Sequence, residues 1–151
     1  MDLKTRSILA LFATLCVSVA TAAQLPAGRN AAEQQVLDFV TAFNQQDVDA
    51  MLTLTSTDIT WMSISGATLG METSGADELG SSMRDYFSSH PDSFSKILQI
   101  QSSGSWVTTL EHAGRVIEGQ FRGQCAYAMY QLSDNLIKSV WYFDAHPCDQ
   151  R

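Results

Sequence analysis

The stretch from Phe121 to Asp144 constrains the fold of this chain most. Two runs, Cys125 to Leu132 and Leu136 to Phe143, flank Ser133-Asp134-Asn135. Both runs are rich in aromatic and aliphatic residues, which suit a half-buried pleated surface. Asp134 fits a type I turn, and Asn135 tolerates the left-handed conformation that a three-residue hairpin requires. The expected hairpin therefore sets Ala128 opposite Val140 and Ala126 opposite Tyr142. Everything upstream must lie on or beside this pair.

The start of the chain has a different character. Lys4 and Arg6 precede an apolar run from Ile8 to Val19, and Ala20-Thr21-Ala22 offers small residues for cleavage. This is the pattern of a secretory signal peptide over residues 1–23. The run falls short of the roughly 20 apolar residues that span a bilayer. Leu15 before Cys16 is not the small residue of a lipoprotein signal. A secreted or periplasmic location follows, with no membrane association after cleavage.

Residues 24–151, about 128 in number, suffice for one domain with a single core. Without Asp2, Lys4 and Arg6, seven Lys and Arg face fifteen Asp and Glu, a net charge of −8. Such an acidic domain is a poor partner for nucleic acid or an anionic membrane. Cys125 and Cys148 remain after cleavage, and an even cysteine count in an exported chain invites a disulfide. The expected register puts Cys125 opposite Phe143, so the tail through Pro147 must curl back to deliver Cys148. Two free thiols are the alternative.

Upstream, Val36, Phe39, Val40 and Phe43 recur at helical spacing within Ala31 to Asn44. Asp47 is placed to cap a short helix over Val48 to Thr55. Asp58 to Ile64 and Leu69 to Thr73 read as strands. Ser74-Gly75 opens a third helix with Asp77 and Glu78 in its first turn, and His90-Pro91 ends it. Strands follow at Phe94 to Gln101, Trp106 to His112, Ile117 to Leu132 and Leu136 to Phe143, with turns at Gly104 and Gly114. Helices on one face of a curved antiparallel sheet make an α+β cone.

That order resembles the nuclear transport factor 2-like superfold, which includes SnoaL-like (polyketide cyclase-like) and ketosteroid isomerase-like proteins. The resemblance rests on Val36 to Met51, Thr57 to Trp61, Glu72 to Gly75 and Met129 to Ile137. It covers nearly all of residues 24–151 and is specific for fold rather than chemistry. Ketosteroid isomerase-like enzymes use an Asp base, a Tyr donor and a protonated Asp donor. The matching positions here hold Ser63, Phe39 and Ala128, which cannot take those roles.

The resemblance also implies an orientation. Ser63, Ala128, Val140, Tyr142 and Asp144 face the cone, and alternation adds Trp61, Ala126 and Tyr130. Met83, Tyr86 and Phe87 join from the third helix. The implied lining suits a small apolar ligand with no cofactor, although the same side chains can instead fill the cone as core. Asp144 with Tyr142 is one acid/base candidate, and His112, which shares a face with Trp106 and Leu110, is another. Glu111 and His112 are strand neighbours and point to opposite faces, so they cannot act together. No His or Cys pair stands at zinc-ligand spacing, so no metal site is expected. Tyr127, Met129, Trp141 and Phe143 alternate away from the cone, which points to a homodimer through the outer sheet face.

Overall fold

The computed structural model describes residues 30–148. The expected signal peptide over residues 1–23 lies outside them. Asn30 caps α1 (Ala31–Gln45), its side chain accepting from the Glu33 N–H at 3.0 Å. Gln46 ends the helix in a left-handed conformation, and Asp47 at once caps α2 (Val48–Thr53) by accepting from the Ala50 N–H. Val36, Phe39 and Val40 are buried, and each contributes about 1.5–3 kcal/mol by leaving water. α3 (Ala76–Ser89) begins at Gly75, whose φ of 94° suits glycine, while Glu78 accepts from the Ser74 N–H.

The strands are β1 (Thr55–Ser65), β2 (Thr68–Ser74), β3 (Ser93–Ser103), β4 (Trp106–Ile117), β5 (Gln120–Ser133) and β6 (Leu136–Phe143). They form one mixed sheet in the order β2-β1-β6-β5-β4-β3. The β1/β6 pair is parallel, where a wholly antiparallel sheet was expected. The connection through α3 carries the chain across to the β3 edge. Three hairpins then return β6 beside β1, running the same way. α1 packs on β3 and β4, α3 packs on β1 and β2, and the curved sheet wraps the space between them.

The C-terminal hairpin differs from its expected register in an instructive way. Asp134 and Asn135 both have positive φ, so the loop is two residues long and Ser133 pairs with Leu136. A loop one residue shorter would turn every following side chain to the other face. A bulge between Gln131 and Leu132, with Lys138 as the extra residue on β6, reverses that flip. Ala128 consequently pairs with Tyr142, and Tyr130 with Val140. The register moves by two residues and the faces are kept.

Gly104 occupies a turn as expected, but Gly114 does not. It sits inside β4 opposite Gly123, and the turn falls at Glu118-Gly119. A Cβ at Gly114 or Gly123 would run into the backbone of the facing strand, so these glycines serve close strand approach.

Cys125 and Cys148 are disulfide-bonded, with Cα atoms 5.0 Å apart. Cys125 faces His146 rather than Phe143, exchanging two backbone hydrogen bonds of 2.8 Å with it. The tail continues alongside β5 as an extra rung and needs no reversal. No helix among the described residues is long and apolar enough to cross a membrane.

Candidate active or binding site

A cavity of about 400 Å³ opens between α1, α3 and the concave sheet face. Phe39, Val40 and Phe43 reach it from α1, and Ser82, Met83 and Tyr86 from α3. The sheet supplies Trp61, Glu72, Thr73, Ser95, Glu111, Ala113 and Tyr142. The helical residues are those the 3.6-residue period turns toward the sheet. Phe43 packs on Tyr86 and Phe87 at ring-centre distances of 6.1 and 5.1 Å, closing the two helices over one end. Trp61 and Tyr142, from adjacent parallel strands, stack at 5.4 Å with rings 8° from parallel.

At the floor of this cavity lies Glu111, only 1 % exposed. Four hydroxyls donate to its carboxylate. Thr109 Oγ1 and Tyr130 OH reach Oε1 at 2.7 Å each, while Ser95 Oγ and Tyr142 OH reach Oε2 at 2.9 and 2.8 Å. An ionised carboxylate offers about four acceptor positions, and all are used. No Lys, Arg or His forms an ion pair with it: the ion pairs among the described residues are Arg84–Asp49 and Lys138–Asp58, both at the surface. Hydrogen bonds from hydroxyls therefore satisfy this buried carboxyl group.

The donors are held from behind. Asn44 on α1 clasps the backbone of Ser95, donating to its carbonyl and accepting from its N–H at 2.8 Å each. This clasp sets Ser95 for its hydroxyl bond to Glu111. Thr109 stands two residues before Glu111 on the same strand face. Tyr130 and Tyr142 reach in from β5 and β6, their hydroxyls 3.1 Å apart. Burial first, and then the negative charge of Glu111, push both phenols well above the ordinary tyrosine value of 10.0. Both stay protonated donors at neutral pH.

A prediction follows for alkaline solution. Folded values above the unfolded value of about 10 mean that the two phenols favour the fold fully below that pH. Their contribution is lost as pH rises through the folded values, because the unfolded chain then releases protons that the fold retains. Tyrosinate absorbance should lag for two of the four tyrosines until unfolding, and the melting temperature should fall above pH ~10. Reversible titration of all four phenols in the folded protein would contradict this.

The expected site residues are distributed unevenly around this geometry. Trp61, Met83, Tyr86 and Tyr142 line the cavity. Ala128, Tyr130 and Val140 are buried in the core beside it, and Tyr130 joins the cluster through its hydroxyl. Ser63 lies outside the lining and donates to Glu72 Oε1. Asp144 is exposed at the β1–β2 turn, accepting from the Gly66 N–H at 2.8 Å. That backbone bond, with help from Ser65, holds its carboxyl below the usual value, and Asp144 is not among the residues that line the cavity. His112 faces the other side of the sheet, edge-on to Phe121 at 4.6 Å. The face it shares with Trp106 and Leu110 is the outer one, so strand alternation turns Glu111 inward. The sequence held one usable signal: Glu111 pairs with Ala126, a residue already expected to face the cone. Without the β4/β5 register, that signal could not be read.

Among the described residues, no cluster of three His, Cys, Asp or Glu could hold a metal ion.

No curated protein matches the chain. Solved structures do. An uncharacterized cystatin-fold protein from Novosphingobium aromaticivorans is similar with 19% identity and a TM-score of 0.66, over 78% of this chain and 100% of that one. An LEH-like epoxide hydrolase of M. tuberculosis is similar with 16% identity and a TM-score of 0.61, over 75% of this chain and 81% of that one. A protein of ketosteroid isomerase-like fold from Catenulispora acidiphila, solved in complex with trimethylamine, shows 15% identity and a TM-score of 0.60, over 74% and 85%. At these identities the likeness is one of fold. The SnoaL-like domain model matches residues 36–139, which run from within α1 to the first half of β6 and include every lining residue of the cavity except Tyr142. The chain belongs to the SnoaL-like domain family, within the NTF2-like fold.

Proposed function

We propose that this is an exported protein that binds a small, predominantly apolar molecule in its cone. The observation that carries this reading is the open cavity of about 400 Å³, walled by Phe39, Phe43, Trp61, Met83 and Tyr86. A pocket of this size and lining buries a small ligand and orients it through a few polar groups at its floor. Trimethylamine in the Catenulispora acidiphila protein is a small guest on the same fold. The disulfide supports residence in an oxidising compartment. Mass spectrometry of molecules that co-purify with the folded protein tests the reading, together with displacement of an environment-sensitive dye. Trp61→Ala removes one wall and should weaken binding by about tenfold or more. Dye binding unchanged by Trp61→Ala would place the ligand elsewhere.

One observation favours a second reading, a cone enzyme of the isomerase, dehydratase or cyclase class. Glu111 is a buried carboxylate at the cavity floor, bonded to two phenols. This arrangement can take up or deliver a proton at a substrate held above it. Asp144 and His112 are not among the lining residues, so this reading rests on Glu111. Turnover abolished by Glu111→Gln, with ligand binding retained, distinguishes the enzyme from the binding module.

The homodimer remains part of the proposal. Tyr127, Phe143 and Trp106 are 53%, 38% and 37% exposed on the outer sheet face, where Trp106 also packs against Trp141 at 5.4 Å. A self-complementary apolar face on one sheet suits a second copy related by a two-fold axis. Light scattering at micromolar concentration should give a dimer mass, and Tyr127→Lys should give a monomer. A monomeric mass for the unmodified protein would refute the pairing.

A further inference from the structure

We infer that the ligand of this cone is an organic cation: an ammonium head set against the aromatic walls, with an apolar body filling the rest of the cavity. The inference rests on the small-molecule reading above and names its chemical class. The charges of the lining point to it. Two carboxylates, Glu72 and Glu111, contribute to the cavity surface, and among the described residues no Lys, Arg or His does. Glu111 is buried and forms no ion pair among the described residues, so its carboxyl oxygens are met only by neutral hydroxyls. Between the walls of the cavity the field of these carboxylates is damped less than it would be in bulk water. A neutral ligand leaves it unused, and an anion meets repulsion.

The aromatic rings argue independently for the same class. Phe39, Phe43, Trp61, Tyr86 and Tyr142 all contribute to one cavity of about 400 Å³. Aromatic faces attract ammonium groups, tryptophan most strongly, and the attraction grows when water is excluded. The four acceptor positions of Glu111 are already filled by Ser95, Thr109, Tyr130 and Tyr142. A ligand N–H donor would have to displace one of these hydroxyls. A fully alkylated ammonium has no proton to donate and needs only the field and the rings, so it fits best. The cationic side chains on the neighbouring elements are engaged or turned elsewhere. Arg84 bonds Asp49 on α2, Lys96 is exposed, and His90 stacks on the Tyr86 ring without joining the lining.

Three probes of matched shape test the inference by calorimetry on the purified protein. They are (2-hydroxyethyl)trimethylammonium, its neutral carbon isostere 3,3-dimethylbutan-1-ol, and the anion 3,3-dimethylbutanoate. The cation should bind about tenfold or more tighter than the neutral isostere, with the anion weakest. Glu111→Gln should cut cation affinity by about tenfold and leave the isostere within about twofold. Exposed Glu72 provides a second variant that does not disturb the core: Glu72→Gln should weaken the cation by about two- to threefold. Equal binding of cation and isostere, or a preference for the neutral compound or the anion, would overturn the charge assignment while leaving a small-molecule site in place. Failure of all three probes to bind would overturn both the assignment and the binding reading. Should Glu111→Gln not fold, the comparison of probes on the unmodified protein decides alone.

Discussion

Glu111→Ala is expected to lower the unfolding free energy by about 3 kcal/mol in urea titration, whereas Glu111→Gln should cost only about 1 kcal/mol. The alanine variant strands four hydroxyls that now donate to one carboxylate. A buried polar group left without a partner costs roughly 1–3 kcal/mol. Three effects offset the full sum. The fold no longer bears the cost of burying a charge. Tyr130 and Tyr142, 3.1 Å apart, can bond each other. Water entering from the adjoining cavity can meet Ser95. Glutamine keeps one acceptor oxygen and offers a donor, and hydroxyls rotate to accept as readily as they donate. A loss below about 1 kcal/mol for the alanine variant would mean that the cluster contributes nothing net to the fold. Its retention would then be a matter of ligand chemistry alone.

Reducing the disulfide, or replacing Cys148 by alanine, should cost about 3 kcal/mol. Cys125 and Cys148 are 23 residues apart, and closing a loop of that length removes chain entropy from the unfolded ensemble by about that amount. The native side adds to it. The bond holds the rung between Cys125 and His146, whose two backbone hydrogen bonds extend the sheet beyond β6. Without the bond the tail can fray from Ala145 onward, and Cys125, 2% exposed, loses its cover. Hydrogen exchange should therefore quicken at Cys125 and His146 while the core around Val107 and Val140 stays protected. Unfolding midpoints unchanged by reductant would refute this.

Local physics makes much of the fold legible in the sequence. The apolar spacing of Val36, Phe39, Val40 and Phe43 marked α1, and Asp47 marked the start of α2, because helix period and capping act within a few residues. The hairpin of β5 and β6 was visible in its composition, and the outward set of Tyr127, Met129, Trp141 and Phe143 followed from strand alternation. The even cysteine count made the bond an expectation, with two free thiols as the alternative, and the structure shows it formed. Other features depended on distant partners. Whether Asp134-Asn135 closes a two-residue or a three-residue loop is settled by the bulge at Lys138, and so by the whole sheet. Gly114 reads as a turn until β5 lies against it with Gly123 facing it. The candidate site itself was the least legible part. Glu111 and His112 are adjacent, and local sequence does not say which of them faces inward. Only the sheet's register brings Ser95, Thr109, Tyr130 and Tyr142, from three other strand positions and its own, around one carboxylate. A buried charge is tolerable solely where such partners converge, and that convergence is a property of tertiary structure.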